Sequence, residues 1–182
     1  MTRAAAVACL ALLLTGCAVS AGPVVVHSPS LGFESPYLGA TVRVDLDKGR
    51  ILSRVEGSYY NAQKIQTSDG YGLSASALAG AKFGRFLALA GYRWNQIDTS
   101  AYTKDSSQLL AEAGYHFNSG GVLFATYSFD PENIDHSYGL RCEVPFKHIL
   151  MFSTWEHINF DAQDGTPASG DKVSLGALWR FN

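Results

Sequence analysis

Residues 171–181 read Asp-Lys-Val-Ser-Leu-Gly-Ala-Leu-Trp-Arg-Phe, and this stretch decides the fold. One set of alternate positions is apolar: Val173, Leu175, Ala177, Trp179 and Phe181. Most of the positions between them, from Lys172 to Arg180, are polar or glycine. Successive side chains of a β-strand point to opposite sides, so a period of two indicates a strand with one apolar face. The same alternation returns along the chain and predicts an all-β protein.

Nine segments show this strand pattern, and the connections between them are alternately short and long. The segments are residues 37–46, 51–60, 71–83, 85–94, 108–117, 122–129, 137–146, 149–158 and 171–181. The long polar connections are residues 61–70, 95–107, 130–136 and 161–170. Short turns at one end and long loops at the other are typical of transmembrane β-barrels. Segments of about ten residues also suit a tilted membrane strand.

The parity of the strands predicts one more strand at the N-terminal side. Single-chain bacterial barrels have an even number of strands, with both chain ends at the periplasmic side. Residues 23–33 are the candidate, although Pro29 fits only an end or a bulge of a strand. We therefore predict an antiparallel up-and-down transmembrane β-barrel of ten strands, with eight strands as the alternative.

The closing segment also carries a family resemblance. With Phe181 next to the terminal Asn182, it resembles the last strand of bacterial outer-membrane β-barrels, whose terminal aromatic residue is part of the assembly signal. The resemblance implies a Gram-negative outer membrane, tight turns and N-terminus in the periplasm, and long loops outside. It also implies that the barrel-assembly machinery is a partner through the C-terminal strand.

The N-terminus reads as an export signal over residues 1–16. Arg3 precedes an apolar run over residues 4–14, shorter than the about 20 residues of a membrane-spanning helix. Leu14-Thr15-Gly16-Cys17 resembles the lipobox of bacterial lipoproteins, which implies lipidation of Cys17; Ala18 resembles the sorting residue of outer-membrane lipoproteins. Cleavage after Ala21 is the alternative. Residues 17–36 then form the lipidated N-terminus and possible first strand, and residues 37–182 form the barrel.

Charged residues of both signs lie on the polar faces of nearly every strand. In a membrane barrel they would meet in the lumen and neutralise one another there. The predicted lumen charge network comprises Arg43, Arg54, Glu56, Arg93, Glu112, His116, Arg141, Glu143, Glu156 and Arg180. The other face would meet lipid, with aromatic residues such as Tyr37, Trp94 and Trp179 near the strand ends. The alternative is a soluble ligand-binding lipoprotein barrel with the two faces exchanged.

Composition excludes some functional classes. A net charge of −2 gives no electrostatic basis for binding nucleic acid. The five His residues have no metal-ligand spacing, so we expect no metal and no cofactor. In the mature lipoprotein Cys142 would be the only thiol left without lipid, which leaves no intrachain disulfide.

The catalytic candidates are Ser128 and His136 near the outer rim. Thr126-Tyr127-Ser128-Phe129 resembles the His-x-Ser-Asn signature of outer-membrane lipid A deacylases, with Thr126 in place of the His and Phe129 in place of the Asn. The resemblance implies a lipid A-modifying hydrolase or acyltransferase. A second alternative is a narrow channel through the lumen. The leading hypothesis is a structural or surface-interaction role through the outer loops, whose partners would be lipopolysaccharide, an extracellular protein or a glycan.

Overall fold

Ten antiparallel strands form a closed barrel in the described part of the chain. The computed structural model describes residues 17–28, 33–61, 70–98, 103–132, 135–161 and 167–181. The strands are β1 (Cys17–Ser28), β2 (Phe33–Lys48), β3 (Ile51–Asn61), β4 (Tyr71–Phe83), β5 (Phe86–Asp98), β6 (Thr103–His116), β7 (Val122–Phe129), β8 (His136–Phe146), β9 (Ile149–Asp161) and β10 (Pro167–Phe181). Each strand pairs with its neighbours in sequence, and β1 pairs with β10 to close the sheet. The prediction of ten strands in an up-and-down barrel is confirmed.

The first strand lies further toward the N-terminus than predicted. β1 spans residues 17–28 rather than 23–33, and Phe33 already belongs to β2. The pairing of Val19 with Phe181 shows why, since the first residues of β1 are needed to match the end of β10. Pro23 is tolerated because the β1–β10 ladder skips its position, passing from Ala21 to Val24. Pro29 lies outside the described residues.

One predicted long loop, over residues 95–107, is mostly strand. β5 continues to Asp98 and β6 starts at Thr103, which pairs with Asp98. The alternation of apolar residues weakens there, but the hydrogen-bonded ladder continues beyond the apolar band. Similarly, β10 starts at Pro167 instead of residue 171. The other predicted loop residues, 62–69 and 162–166, lie outside the described residues.

The four tight turns lie at one end of the barrel, which we call the turn end. Each contains one residue with positive φ: Gly49, Gly84, Gly120 and Lys147. Positive φ is the conformation that short hairpin turns demand. Cys17 and Phe181 also lie at the turn end, because Cys17 pairs with Leu46 and Phe181 with Val19. The opposite end, where the longer connections lie, is called the loop end.

The outer surface of the barrel is an apolar band with aromatic residues at both edges. Side chains in the band are exposed, for example Val55 at 56% and Leu109 at 58%. Tyr115 packs edge to face against Phe86 and Phe117 at the turn end, and Tyr138 contacts Trp155 toward the loop end. Phe86 and Trp94 lie eight residues apart on β5, which is about 20 Å of height for a strand tilted by about 40°. No helix of the described residues is long and apolar enough to cross a membrane.

The predicted place of Tyr37 among the lipid-facing aromatic residues is wrong. Tyr37 is 5% exposed and packs inside the barrel against Tyr60, with the two ring centroids 6.2 Å apart. Its parity on β2 is that of Thr41 and Arg43, which are also buried. Counting in steps of two from Arg43 would have placed Tyr37 inside.

Candidate functional site in the barrel lumen

The centre of the lumen holds a network of buried ion pairs from opposite walls. Arg43 on β2 donates to both carboxylate oxygens of Glu143 on β8, at 2.6 and 3.1 Å. Its Nε donates to Asp45 at 2.6 Å. Arg43 and Glu143 are each 4% exposed. A fork of two parallel hydrogen bonds fixes both the distance and the orientation of the two walls.

Two further arginines complete this central network. Arg141 donates to both oxygens of Glu56 at 2.9 and 2.6 Å, and its Nε lies 2.7 Å from Glu143. Arg54 donates to Glu112 at 2.9 Å and to Asp45 at 3.3 Å. Three arginines thus meet four carboxylates, which satisfies the requirement that buried charges be paired.

Apolar side chains fill much of the lumen around the network. Arg54 lies over the ring of Phe124 and Arg141 over the ring of Phe152, both at 4.9 Å from the ring centroid. One buried cluster comprises Leu78, Leu87, Leu89, Leu110, Val122 and Phe124. A second comprises Val24, Val26, Tyr37, Tyr60, Leu150, Phe152 and Leu178. A barrel of this size is therefore filled by side chains rather than by a continuous column of water.

A second polar cluster lies on the loop side of the central network. Glu156 accepts a hydrogen bond from Ser137 at 2.6 Å, and it pairs with Arg93 at 2.5 Å and with Lys172 at 2.8 Å. The Ser128 and Ser137 hydroxyls are 2.6 Å apart. Two cations face one carboxylate here, which offsets the one extra carboxylate of the central network.

The central network separates two cavities. The turn-end cavity of about 340 Å³ is bounded by Arg43, Arg54 and Glu143. The loop-side cavity of about 100 Å³ is bounded by Glu56, Glu112 and Arg141. The two cavities share no lining residue. The seven residues of the network thus form a partition across the lumen.

The structure brings most residues of the predicted charge network together and leaves two apart. His116 and Arg180 line the turn-end cavity, but neither has an ion pair with a described carboxylate. Sequence reasoning did not include Asp45, Gln108, Ser137 and Lys172 in the network. All four have the inward parity of their strands, so applying the parity rule to every charged and every polar residue would have found them.

The catalytic pair suggested by the sequence is not assembled. Ser128 is 1% exposed and faces the lumen, where it contacts Arg93, Gln108 and Ser137. Ser137 also faces the lumen, so His136, its neighbour on β8, points to the outside. A nucleophile needs a base within hydrogen-bond reach, and the barrel wall separates these two side chains. The structure therefore does not bring the alternative catalytic candidates Ser128 and His136 together.

Among the described residues, no group of three or more His, Cys, Asp or Glu side chains is placed to hold a metal ion. The carboxylates that converge in the lumen are opposed by guanidinium and ammonium groups instead. Such cations occupy the positions that a metal would need.

Known proteins resemble this chain in fold only. No family model and no curated protein matches the sequence. The solved structures that match include Ail, the attachment invasion locus protein of Yersinia pestis (12% identity, TM-score 0.44, 91% of this chain and 97% of that one). Others are Neisserial surface protein A (14%, 0.43, 91% and 96%) and a major outer membrane protein of Thermus thermophilus (10%, 0.41, 91% and 99%). Similarity at this level identifies no subfamily.

Proposed function

We propose that this chain is an outer-membrane β-barrel lipoprotein that is closed to diffusion and has a structural or surface-interaction role through its loop end. The partition formed by Arg43, Arg54 and Arg141 with their carboxylates is the observation that carries the proposal. A barrel whose centre is sealed by paired charges and apolar clusters works through its surface rather than its lumen.

The distribution of polarity supports insertion in a membrane. Arg43, Arg54, Arg141 and Glu143 are buried inside the barrel. On the outside, Val55, Leu109 and Leu175 are more than half exposed. A soluble barrel would have the opposite arrangement. An exposed apolar surface of this size must be shielded from water. A lipid bilayer shields it on a closed barrel, and the aromatic residues at the edges of the band then lie at the two membrane interfaces.

The start of β1 supports cleavage before Cys17. Cleavage after Ala21 would remove the first five residues of β1, including the fully buried Ser20 and the pairs that Val19, Ser20 and Ala21 make with β10. The barrel needs these residues for closure. Processing at the lipobox retains them, and the parity of Cys17, which is that of Val19 and Val25, directs its side chain toward lipid.

The loop end is the surface proposed for interaction. In this orientation the tight turns and both chain ends are periplasmic, and the loop end faces outward. Lipopolysaccharide, an extracellular protein or a glycan is the proposed partner. The loops themselves lie largely outside the described residues, so the proposal rests on the closed lumen and on the polarity of the wall.

The experiment tests insertion and orientation together. In a Cys142→Ser background, Ser119→Cys reports the turn end and Glu132→Cys the loop end, since both native side chains are exposed. We expect a membrane-impermeant maleimide to label Glu132→Cys on intact cells and Ser119→Cys only after the outer membrane is opened. The unboiled protein should migrate faster than the boiled protein on a detergent gel. Cys17→Ala should remain in the outer membrane fraction, because the barrel spans the membrane without its lipid.

Two results would overturn the proposal. If the protein lacks the gel shift and its Cys17→Ala variant is released into the periplasm, the chain is a soluble barrel. Steady conductance of the purified wild type in a planar bilayer, abolished by changes to the partition, would make it a channel.

A further inference from the structure

The turn-end cavity is a vestibule with an apolar wall and a floor of paired charges. Its wall includes Leu87, Leu89, Phe124 and Leu150, which are all buried. Its volume of about 340 Å³ falls within the range of small-ligand sites. Asp47 at the mouth is 52% exposed and is paired with Lys82, so the vestibule is accessible from the turn end.

Two polar groups beside this vestibule lack partners and face each other. The Oγ of Ser20 and the Nε of Arg180 are buried and have no hydrogen-bond partner among the described residues. Ser20 is 0% exposed and pairs with Arg180 across the β1–β10 ladder. Arg180 lines the cavity and Ser20 does not. Directly opposed residues have Cβ atoms about 5 Å apart, so Ser20 lies next to an anion held on Arg180. Leaving buried donors unpaired costs free energy that a bound acceptor restores.

The balance of charge at the vestibule points to a negative ligand. Arg43 and Arg54 are neutralised by Glu143, Glu112 and Asp45. Lys82 is neutralised by Asp47. Arg180 is the cation of the lining that no described carboxylate pairs, and an unpaired guanidinium presents a fork of donors suited to carboxylate or phosphate.

We propose that the vestibule binds an amphiphilic anion, with the acidic group on Arg180 and Ser20 and the apolar chain along Leu87, Leu89 and Phe124. Carboxylate and phosphate head groups share this chemistry. The ligand enters from the turn end, below the partition, and does not cross the barrel. This binding goes beyond the proposed surface role, since it uses the opposite end of the molecule and is independent of lipidation.

The test measures binding to the full-length processed protein in lipid nanodiscs, with empty nanodiscs as the blank. Hexanoate and hexyl phosphate are the probes, hexanol is the neutral analogue, and acetate and inorganic phosphate are anions without a chain. Binding is followed by NMR shifts of the methyl groups of Leu87 and Leu89. Arg180→Gln removes the charge, Ser20→Ala removes the hydroxyl, and Arg85→Gln is the control, because Arg85 is exposed in a turn of the same end and does not line the vestibule.

We expect both amphiphilic anions to shift the Leu87 and Leu89 signals, with hexanol and the chainless anions binding at least about tenfold more weakly. Loss of a hydrogen bond to a charged group corresponds to roughly tenfold or more in affinity, so Arg180→Gln should weaken binding by at least that factor. Ser20→Ala should weaken it by about threefold, and Arg85→Gln should leave it unchanged. Tighter binding of hexanoate would indicate a fatty acid, and tighter binding of hexyl phosphate a phosphorylated lipid fragment.

The proposal is overturned if neither anion shifts these signals, if hexanol binds as well as hexanoate, or if acetate and phosphate bind as well as their hexyl counterparts. Wild-type affinity in a folded Arg180→Gln also overturns it. If Arg180→Gln fails to show the gel shift of a closed barrel, Arg180→Lys replaces it; this variant keeps the charge and should retain part of the anion preference over hexanol.

Discussion

Arg43 and Glu143 join opposite walls of the barrel, β2 to β8, through a fork of two hydrogen bonds of 2.6 and 3.1 Å. On the shorter way around the ring, three strands, β1, β10 and β9, lie between the two residues. The fork therefore acts as a strut across the lumen. The sheet connects β2 and β8 only through the strands between them, whereas this ion pair connects the two directly. The partition therefore contributes to the stability of the barrel.

The first prediction concerns this strut. Glu143→Gln leaves Arg43, Arg54 and Arg141 buried with one carboxylate fewer, and it should lower the free energy of unfolding by about 3 kcal/mol or more. The measurement is urea unfolding from lipid vesicles. Asp47→Asn, which breaks the more exposed pair with Lys82, is the matched control and should cost less than about 1 kcal/mol. Equal effects of the two changes would show that the central pairs do not stabilise the barrel.

The second prediction separates a structural from a catalytic role for Ser128. Ser128→Ala removes contacts to Arg93, Gln108 and Ser137, so we expect a loss of stability of about 1–2 kcal/mol. His136→Ala should change stability little, because His136 lies on the outer face at the start of β8. Neither variant should alter the lipid A profile of the cell by mass spectrometry. A lipid A product that disappears in both variants would instead restore the enzyme hypothesis.

The third prediction concerns the start of the mature chain. Mass spectrometry should find a lipid-modified Cys17 as the first residue. A variant secreted with Gly22 as its first residue should fail to show the gel shift of a closed barrel, because β10 loses its pairing from Trp179 to Phe181. A matched chain that starts at residue 17 with Cys17→Ala should close normally. Normal closure of the shortened chain would mean that the three residue pairs from Val19 to Ala21 are dispensable for the β1–β10 ladder.

The fourth prediction compares two glycines, Gly91 on β5 and Gly57 on β3. A Cβ atom on Gly91 would lie 1.9 Å from the carbonyl oxygen of Ala77, so backbone would have to move. Gly91→Ala should cost roughly 1–3 kcal/mol. Gly57→Ala is the control, because the nearest atom to its Cβ is the Ser74 carbonyl oxygen at 3.9 Å. Unfolding from vesicles would measure both, and equal stability of the two variants would contradict the close approach of β4 and β5.

The closing strand was predictable because lipid and lumen impose opposite demands on alternate residues. Val173, Leu175 and Trp179 meet the apolar side, and Lys172 and Arg180 the polar side. This contrast is strong wherever a strand has charged residues inside. The alternation of short and long connections then gave the up-and-down order of the strands. The rule that such barrels have an even number of strands predicted the tenth strand.

The apolar filling of the lumen was not predictable from the same signal. Residues 86–90 are apolar on both faces, so a period of two carries no information about Leu87 and Leu89. Nor can alternation pair Arg43 with Glu143, because which strands face each other across the lumen depends on closure and stagger of the whole sheet. Ser128 was selected for its resemblance to a catalytic motif, and the structure does not support that role. Its hydroxyl instead forms hydrogen bonds with Arg93 and Ser137 inside the lumen.

The seam between β1 and β10 also decides when the barrel can form. Val19 and Phe181, which meet at this seam, are near opposite ends of the chain. The last strand to be synthesised is therefore required to pair with the first, and every shorter chain has two open edges. Unpaired edges bind other strands readily. A newly made chain must therefore be kept from aggregating until β10 has been made and has paired with β1. Contacts of such long range slow folding relative to local hairpins.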